Sequence, residues 1–259
     1  MTTRHGAGVG GRGPANWVRL AGVALQFLTR IPVRVRFEPD DLRRAAGAFP
    51  AVGALVAAIG LGVRWAVEPW LGVPLATVSA LAAMVTTTGA FHEDGFADSV
   101  DGLWGGRTPE ERLRIMHDSR LGTYGTVALI GLLATKYFAL VPMSLPAFAA
   151  TLVPAMVLAR CSSLALMRAL PPATDGLVTS AGPPTPTGWM VASVTAVASL
   201  VGFGRWAWLP VTAAALTCLL ATAIVRSKVG GINGDQLGAT NQLVEVSVLL
   251  AGVVVFVTR

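Results

Sequence analysis

The stretch VPLATVSALAAMVTTTGAFHEDGFADSVDG, residues 73 to 102, joins an apolar run to a dense group of acidic residues. Half of the 14 Asp and Glu residues of the chain lie between residues 91 and 122, and long apolar runs flank that segment on both sides. Carboxylates are costly to place beside a segment that can cross a bilayer. The acidic residues are therefore predicted to bind a cation or to take part in chemistry.

The composition of the whole chain is that of a membrane protein. Of its 259 residues 53% are hydrophobic and only 13% are charged, and the mean hydropathy is +0.62, whereas soluble domains have about 25% charged residues. A membrane-crossing helix needs roughly 20 mainly apolar residues. Candidate runs lie at residues 47–67, 73–91, 123–145, 147–169, 189–203, 206–225 and 240–257. We predict an all-α, polytopic integral membrane bundle of about seven transmembrane helices, and a possible N-terminal interfacial helix at 17–31, a run too short to span.

The basic residues are concentrated at the N-terminus, where the first 44 residues contain eight arginines, and the formal net charge is +6. The positive-inside rule and anionic lipids account for this surplus, so no nucleic-acid partner is expected. We predict a flexible basic N-terminus at residues 1–16 and one membrane-embedded catalytic domain at 17–259. Cys161 and Cys218 lie in apolar runs without metal-ligand spacing and are expected to be buried thiols.

Counting spans places four polar segments on one side of the membrane. These segments are residues 30–46, 91–122, 171–188 and 226–239, because each is separated from the next by two predicted spans. That side also carries most of the arginines, which identifies it as cytoplasmic. The 171–188 segment, rich in Pro, Gly, Ser and Thr, is either a solvated connector or a flap over the substrate that contains Asp175.

The acidic segment begins with HEDGFADSVDG, residues 92–102. Asp94, Asp98 and Asp101 are spaced i, i+4, i+7, which on a helix puts them within an arc of about 60°. Such hard oxygen ligands suit Mg²⁺, which prefers one or two carboxylates together with substrate phosphates, so the spacing predicts phosphoryl or pyrophosphate chemistry. Gly95 and Gly102 would let a backbone or a substrate approach closely.

A second element is RIMHDSRLGTYG, residues 114–125. Arg120 is a candidate phosphate clamp, and Asp118 is a candidate metal ligand or base. The alternative for this pair is a salt bridge beside the membrane. His92 and His117 either bind substrate or make local hydrogen bonds.

The third element is VGGINGDQLGA, residues 229–239, whose closely spaced glycines can expose N–H groups to phosphate oxygens. We assign it to substrate binding, with a tight turn as the alternative; the candidate residues are Gly230, Gly231, Asn233, Gly234 and Asp235. Lys136 and Arg160 lie inside predicted spans, and intramembrane cations face a partner or a cavity. They either stabilise substrate phosphate or form an internal ion pair.

These motifs closely resemble the cobalamin synthase family, the adenosylcobinamide-GDP ribazoletransferases. The resemblance rests on FLTRIPV (27–33), FPAVGALVAAIG (49–60), HEDGFADSVDGLWGG (92–106), ERLRIMHDSRLGTYG (111–125) and GGINGDQLGAT (230–240), and covers nearly the whole chain. In that family the histidine that corresponds to His92, at the start of HEDGFADSVDGLWGG, is often followed by Leu. Here Glu93 follows it, which leaves open whether Glu93 adds a metal ligand.

The resemblance implies an inner-membrane enzyme that requires Mg²⁺ and completes cobalamin biosynthesis. It would join α-ribazole, or its 5'-phosphate, to adenosylcobinamide-GDP and release GMP. Our mechanistic hypothesis for this reaction is that Asp94, Asp98 and Asp101 hold one or two Mg²⁺ ions on the pyrophosphate, while Asp118 or an aspartate of that group accepts the proton of the ribose 3'-hydroxyl. Arg120, with Lys136 or Arg160, would stabilise phosphate charge, and the glycine-rich element with Asp235 would cradle the guanosine phosphate or complete the metal shell. The implied partners are these substrates and the lipid bilayer, with a homo-oligomer possible.

Two other functions fit part of the pattern. A CDP-alcohol phosphotransferase also carries spaced aspartates on membrane helices, but its signature has an Ala-Arg pair after the first Asp-Gly and a longer gap to the later aspartates. A cation-coupled transporter also uses intramembrane carboxylates, but such proteins commonly contain two corresponding repeats. The sequence contains one acidic cluster and no second copy of it.

Overall fold

The computed structural model describes residues 14–36, 40–174, 176 and 182–258, and the regular structure in the part of the chain that it describes is helical, with one isolated β-bridge. The ten α-helices of this part are α1 (Pro14–Leu28), α2 (Asp41–Ala45), α3 (Phe49–Thr88), α4 (Phe91–Gly105), α5 (Pro109–Met116), α6 (Thr123–Leu140), α7 (Leu145–Ala169), α8 (Pro186–Ser199), α9 (Trp208–Lys228) and α10 (Gly234–Phe256). Two 3₁₀ segments, Ala46–Ala48 and Leu200–Trp206, join α2 to α3 and extend α8. The predicted all-α membrane fold is confirmed.

Six helical segments of the described chain are long and apolar enough to cross a membrane. The first is divided at Gly72, whose φ of 73° and ψ of 169° are not helical. Gly60 and Met84 lie twelve positions before and after Gly72, and a Cβ on Gly60 would lie 2.6 Å from the sulfur of Met84. The two arms therefore fold back on each other and are antiparallel. The arms, 49–71 and 73–88, correspond to the first two predicted spans.

The centre of the bundle is formed by α7 and α10, which pack against each other and against α3 and α4 respectively. In the most apolar part of α7, 78% of the residues are buried, compared with 17% in the 186–206 segment and 22% in α9. The buried core includes Phe148, Leu152, Val248 and Leu249. The two peripheral segments therefore present the apolar faces that a bilayer would cover.

The N-terminal apolar run forms a helix too short to span, as predicted. It forms α1, which begins at Pro14, inside the segment predicted to be flexible, and packs against α2 and α3. Leu20, Val23 and Ala24 of α1 are fully or almost fully buried. Most of the predicted flexible N-terminus and Asp175 of the predicted flap lie outside the described residues.

The polar connections meet at one end of the bundle, as the span count predicts. The N–H of Ile232 donates to the carbonyl of Pro171 at 2.9 Å, and the N–H of Ala173 donates to the carbonyl of Ile232 at 2.7 Å. The Arg112 side chain, in the acidic segment, donates to the carbonyl of Lys228 at 2.6 Å. The 226–239 loop therefore contacts both the acidic segment and the 171–188 segment.

Candidate active site

The aspartates predicted to share a face do so on α4. This helix starts after a turn in which Gly89 (φ 67°) and Ala90 (φ 58°) are both left-handed, so the chain reverses sharply at the end of α3. Because α4 is continuous through Gly105, Asp94 and Asp98 project from one side of it. Asp94 is exposed and Asp98 is partly buried.

Helix α4 runs antiparallel to the first turns of α10 at short range. A Cβ on Gly95 would lie 2.9 Å from the Cα of Asp235, and one on Gly238 would lie 3.4 Å from the Cα of His92. The lack of a side chain at Gly95 therefore lets the α10 backbone approach closely, which is one of the two contacts predicted for this glycine. The close approach brings Asp235 beside the aspartate-bearing side of α4.

The carboxylates of this region affect one another electrostatically. The pKa of Asp98 is raised to about 6, first by partial burial and then by the negative charges of Asp94, Asp235 and Asp101. Like charges held this close favour a neutralising proton or cation. We call Asp94, Asp98 and Asp235 the aspartate face.

Asp101 is predicted from the sequence to be a metal ligand, but the structure places its carboxylate at the start of α6. Its two oxygens accept hydrogen bonds from the N–H groups of Gly122 (2.8 Å) and Gly125 (2.9 Å). A Cβ on Gly122 or on Gly125 would collide with a carboxylate oxygen of Asp101. Asp101 therefore satisfies the free N–H groups at the N-terminus of α6, where a negative charge is favourable.

Glu93, the second residue predicted as a metal ligand, points away from the aspartate face. Its Oε1 accepts from the amide of Gln242 at 3.2 Å and lies 3.8 Å from Nζ of Lys136. Lys136 lies 2.7 Å from Glu245, and Arg160 lies 3.7 Å from the other oxygen of Glu245. These five side chains are buried, and we call them the buried charge network.

The network agrees with the ion-pair alternative for Lys136 and Arg160. Both cations are paired internally with carboxylates, as the ion-pair alternative predicts, and neither is paired with the aspartate face. Glu245 and Gln242 are not among the residues predicted for the site. The available signal is their position inside the apolar run 240–257, where a carboxylate is expected to have a partner.

Asp118 and Arg120 form a pair at the protein surface, as their alternative predicts. Nη2 of Arg120 donates to Oδ2 of Asp118 at 2.7 Å, and the Arg120 side chain is 88% exposed. The hydrogen bonds from Arg120 lower the pKa of Asp118 to about 2. Nearby, Nδ1 of His117 lies 2.7 Å from the carbonyl of Leu113.

The glycine-rich element is shorter than predicted, because α10 already begins at Gly234. Asn233 and Gln236 form a reciprocal capping box in which each side chain accepts from the backbone N–H of the other residue. Gly230 has a φ of 83°, which favours glycine, and a Cβ on Gly234 would meet no atom within 4 Å. A Cβ on Gly230 would also meet no atom within 4 Å, so the space beside both glycines is open, and Gly234 is the one next to Asp235.

At two further glycines the space that a side chain would need is filled by other parts of the protein. A Cβ on Gly231 would lie 2.8 Å from the carbonyl oxygen of Pro171, and one on Gly102 would lie 2.5 Å from the side chain of Met116. Both serve close packing of the chain, and the neighbours of Gly102 include the backbone carbonyl of Arg112, in line with the close backbone approach predicted for it.

His92 is buried, with 4% of its surface exposed, and burial, together with the charges of Arg160 and Lys136, lowers its pKa well below the ordinary value. Within the described residues no three His, Cys, Asp or Glu side chains are arranged to hold a metal ion by themselves. Asp94 and Asp98 with Asp235 are therefore the available carboxylates for an ion that substrate phosphates and water would also bind.

Comparison with known proteins gives a family match over most of the chain. The sequence model described as cobalamin-5-phosphate synthase matches residues 21–253. The adenosylcobinamide-GDP ribazoletransferase of Leptothrix cholodnii is 38% identical over 251 residues, which are 90% of this chain and 94% of the relative. The protein of the same name from Rhizobium johnstonii is 37% identical over 88% of this chain and 94% of the relative. The one from Bradyrhizobium diazoefficiens is 39% identical over 88% of this chain and 90% of the relative. No solved structure matches the chain.

Proposed function

The chain belongs to the cobalamin-5-phosphate synthase family, and we propose that it carries out its transfer reaction at the aspartate face of α4. It is a membrane-embedded transferase of cobalamin biosynthesis that joins α-ribazole, or its 5'-phosphate, to adenosylcobinamide-GDP. The ribose 3'-hydroxyl oxygen forms a bond to the phosphorus attached to cobinamide. The bond from that phosphorus to the bridging oxygen breaks, GMP leaves with the oxygen, and the hydroxyl proton passes to a base.

The observation that carries this proposal is the meeting of Asp94 and Asp98 with Asp235 at the α4–α10 contact. Carboxylates from two helices, on the polar end of the bundle, face a region that the open Gly234 leaves accessible. A reaction between two large phosphate-bearing substrates requires mainly positioning and neutralisation of charge. The aspartate face provides ligands for a neutralising cation in that position.

The donor set of the aspartate face fits Mg²⁺. Oxygen ligands suit this ion, which is held by one or two carboxylates together with waters and substrate phosphates rather than by a closed protein cage. Asp94 and Asp235 would hold it. When bound, the ion neutralises negative charge on the pyrophosphate.

Asp98 is the best-placed proton acceptor. A general base works best when its pKa is near the operating pH, and the pKa of Asp98 is raised to about 6 while that of Asp118 is lowered to about 2. We therefore assign the base to Asp98 rather than Asp118. The exposed Arg120 remains available to bind an anionic substrate group, whereas Lys136 and Arg160 are held in the buried charge network.

The apolar helices make the chain a multi-pass membrane protein. We place it in the inner membrane with the aspartate face toward the cytoplasm, because the polar end carries Arg43, Arg44, Arg112 and Arg114, and positive charge is retained on the cytoplasmic side. A homo-oligomer stays a prediction, which light scattering on the detergent-solubilised protein would test.

The test is GMP release by the detergent-solubilised protein from adenosylcobinamide-GDP, α-ribazole and Mg²⁺. Asp94→Asn, Asp98→Asn and Asp235→Asn should each lower kcat by about 10²-fold or more, while Glu110→Gln, an exposed carboxylate on α5, should leave it unchanged. Parental activity in all three aspartate variants would refute the site. If the parent protein forms no cobamide from α-ribazole or from its phosphate, the reaction itself is wrong.

A further inference from the structure

A narrow aromatic cleft lies beside the aspartate face, between α1, α3, α4, α7 and α10. We call it the Phe91 cleft, and its walls include Phe27, Phe49, Phe91, His92, Arg160 and Leu237. The ring centroids of Phe27 and Phe49 are 5.8 Å apart in a stacked arrangement, and the Phe91 ring stands edge-on to Phe27 at 5.5 Å. The cleft therefore offers flat aromatic surfaces of the kind on which heterocyclic bases stack.

Two polar groups of the cleft have unused hydrogen-bonding capacity. Nδ1 of His92 is buried and has no hydrogen-bond partner among the described residues. Arg160 uses Nη1 for the carbonyl and sulfur of Met156, at 3.3 and 3.4 Å, and for Glu245, and a guanidinium has five N–H donors. Buried polar groups are normally paired, so an unpaired ring nitrogen on a residue that lines the cleft indicates a ligand that completes it.

We propose that the Phe91 cleft binds the benzimidazole base of the α-ribazole substrate, with its free ring nitrogen toward His92 and Arg160. This inference rests on the proposed function, because it deepens the assignment of the same active site. Benzimidazole exposes one ring-nitrogen acceptor in the nucleoside and is otherwise apolar. Guanine has several polar atoms on its edges, and in a wall this apolar most of them would be buried without partners, which is unfavourable.

The position of Phe91 on α4 connects this base site to the reacting groups. Phe91, Asp94 and Asp98 are spaced i, i+3, i+7 and lie on one face of the helix. Asp94 is therefore about one turn, roughly 5 Å, above Phe91, and Asp98 is about two turns above it. A base stacked on Phe91 would direct its ribose along α4 toward the carboxylates, which is the direction that the 3'-hydroxyl needs.

The cleft must widen to admit a base. Its walls enclose about 390 Å³, part of it open to solvent, but only about 30 Å³ is free for a water-sized molecule to move in. Phe91 is 42% exposed, so its ring can rotate outward without breaking the core. We therefore expect base binding to move Phe91 rather than the buried Phe49.

The test measures α-ribazole binding apart from turnover. Phe91→Ala should raise both the Kd of α-ribazole alone, measured by calorimetry on the solubilised protein, and its KM by about 5- to 150-fold, because stacking contributes about 1–3 kcal/mol per base. The KM for adenosylcobinamide-GDP and inhibition by GMP should change less than about threefold. Phe91→Trp keeps an aromatic surface and should bind α-ribazole about as tightly as the parent. Phe138→Ala is the matched control, because Phe138 on α6 is 72% exposed.

Two results would overturn the inference. One is an unchanged Kd for α-ribazole in a folded Phe91→Ala protein, and the other is weakened inhibition by GMP, which would make guanine the occupant. A parent protein that binds α-ribazole in the cleft but releases no GMP would separate failure of the proposed reaction from failure of the base site.

Discussion

The substitution Lys136→Met should destabilise the protein strongly, because Lys136 is the central cation of the buried charge network. Its side chain is 3% exposed, and its Nζ lies 2.7 Å from Glu245 and 3.8 Å from Glu93. The parent network contains two cations and two carboxylates. Without Lys136, Arg160 is left with two carboxylates, so one negative charge is buried without compensation.

Removing one partner of a buried ion pair typically costs about 3–5 kcal/mol. That is a large part of the total stability of about 5–15 kcal/mol that is usual for a protein. The measurement is thermal unfolding of the detergent-solubilised protein, followed by size-exclusion chromatography. Arg107→Met, which removes an exposed cation from the α4–α5 connection, should change stability by less than about 0.5 kcal/mol.

The double variant Glu93→Gln/Lys136→Met provides the sharper comparison. It leaves Arg160 and Glu245 as a balanced pair, and the amide introduced at position 93 can still bond to Gln242, so the double variant should be more stable than Lys136→Met alone. An interaction energy of about 0.5–3 kcal/mol is expected for groups in contact. Unchanged melting of Lys136→Met, or a double variant destabilised by the sum of the two single effects, would refute the assignment of these residues to one network.

Three other substitutions test the divided roles of the acidic residues. Asp98→Asn should raise stability by about 1 kcal/mol at pH 7.5, after allowance for screening at this half-exposed site, and this gain should shrink below pH 6 and vanish at about pH 3. The reason is that a carboxyl whose folded pKa is raised from 3.8 to about 6 destabilises the fold only where the unfolded chain would be ionised, so the effect is lost below the unfolded pKa. Mg²⁺ should stabilise the parent more than the variant in the same melting assay, and an equal effect would contradict this. Asp101→Asn should lower the free energy of unfolding by about 1–3 kcal/mol, because it weakens the bond to Gly125, while GMP release per folded molecule is largely kept. Lost GMP release with an unchanged melting temperature would instead identify Asp101 as a metal ligand. Asp118→Asn should lower kcat less than about tenfold, because a carboxyl held at a pKa of about 2 by Arg120 is a poor base, whereas a loss of about 10²–10⁴ would identify it as the base.

The apolar helices and the face shared by Asp94 and Asp98 could be predicted from the sequence, because both depend on local composition and the helical period. The extent of α10 could also have been predicted. Asn233 and Gln236 have the spacing of a capping box, which starts that helix at Gly234 rather than at the predicted residue 240. Glycines suggest a loop by composition, but the capping pattern decides the local structure here.

The roles of Asp101 and Glu93 could not be predicted, because each depends on a partner distant in the sequence. Asp101 has the same helical spacing as the other aspartates, and only its contact with Gly122 and Gly125 shows that it caps α6. Glu93 is adjacent to Asp94 in the sequence, but successive residues on a helix point about 100° apart. That rotation turns Glu93 toward Lys136 and leaves Asp94 exposed.

The two sides of α4 therefore differ in their charge balance, and this difference bears on function. On the side of Glu93, two carboxylates face two cations in a buried network, so the charges cancel within the protein. On the other side, the aspartate face has no salt-bridge partner among the described residues, and the pKa of Asp98 is raised first by its partial burial and then by repulsion from the neighbouring carboxylates. A protein that needed only to stabilise its fold would gain by replacing Asp98, since neutralising it relieves that repulsion. Retaining several carboxylates there is favourable only when something outside the protein, such as a cation brought together with a phosphate-bearing substrate, supplies the missing positive charge.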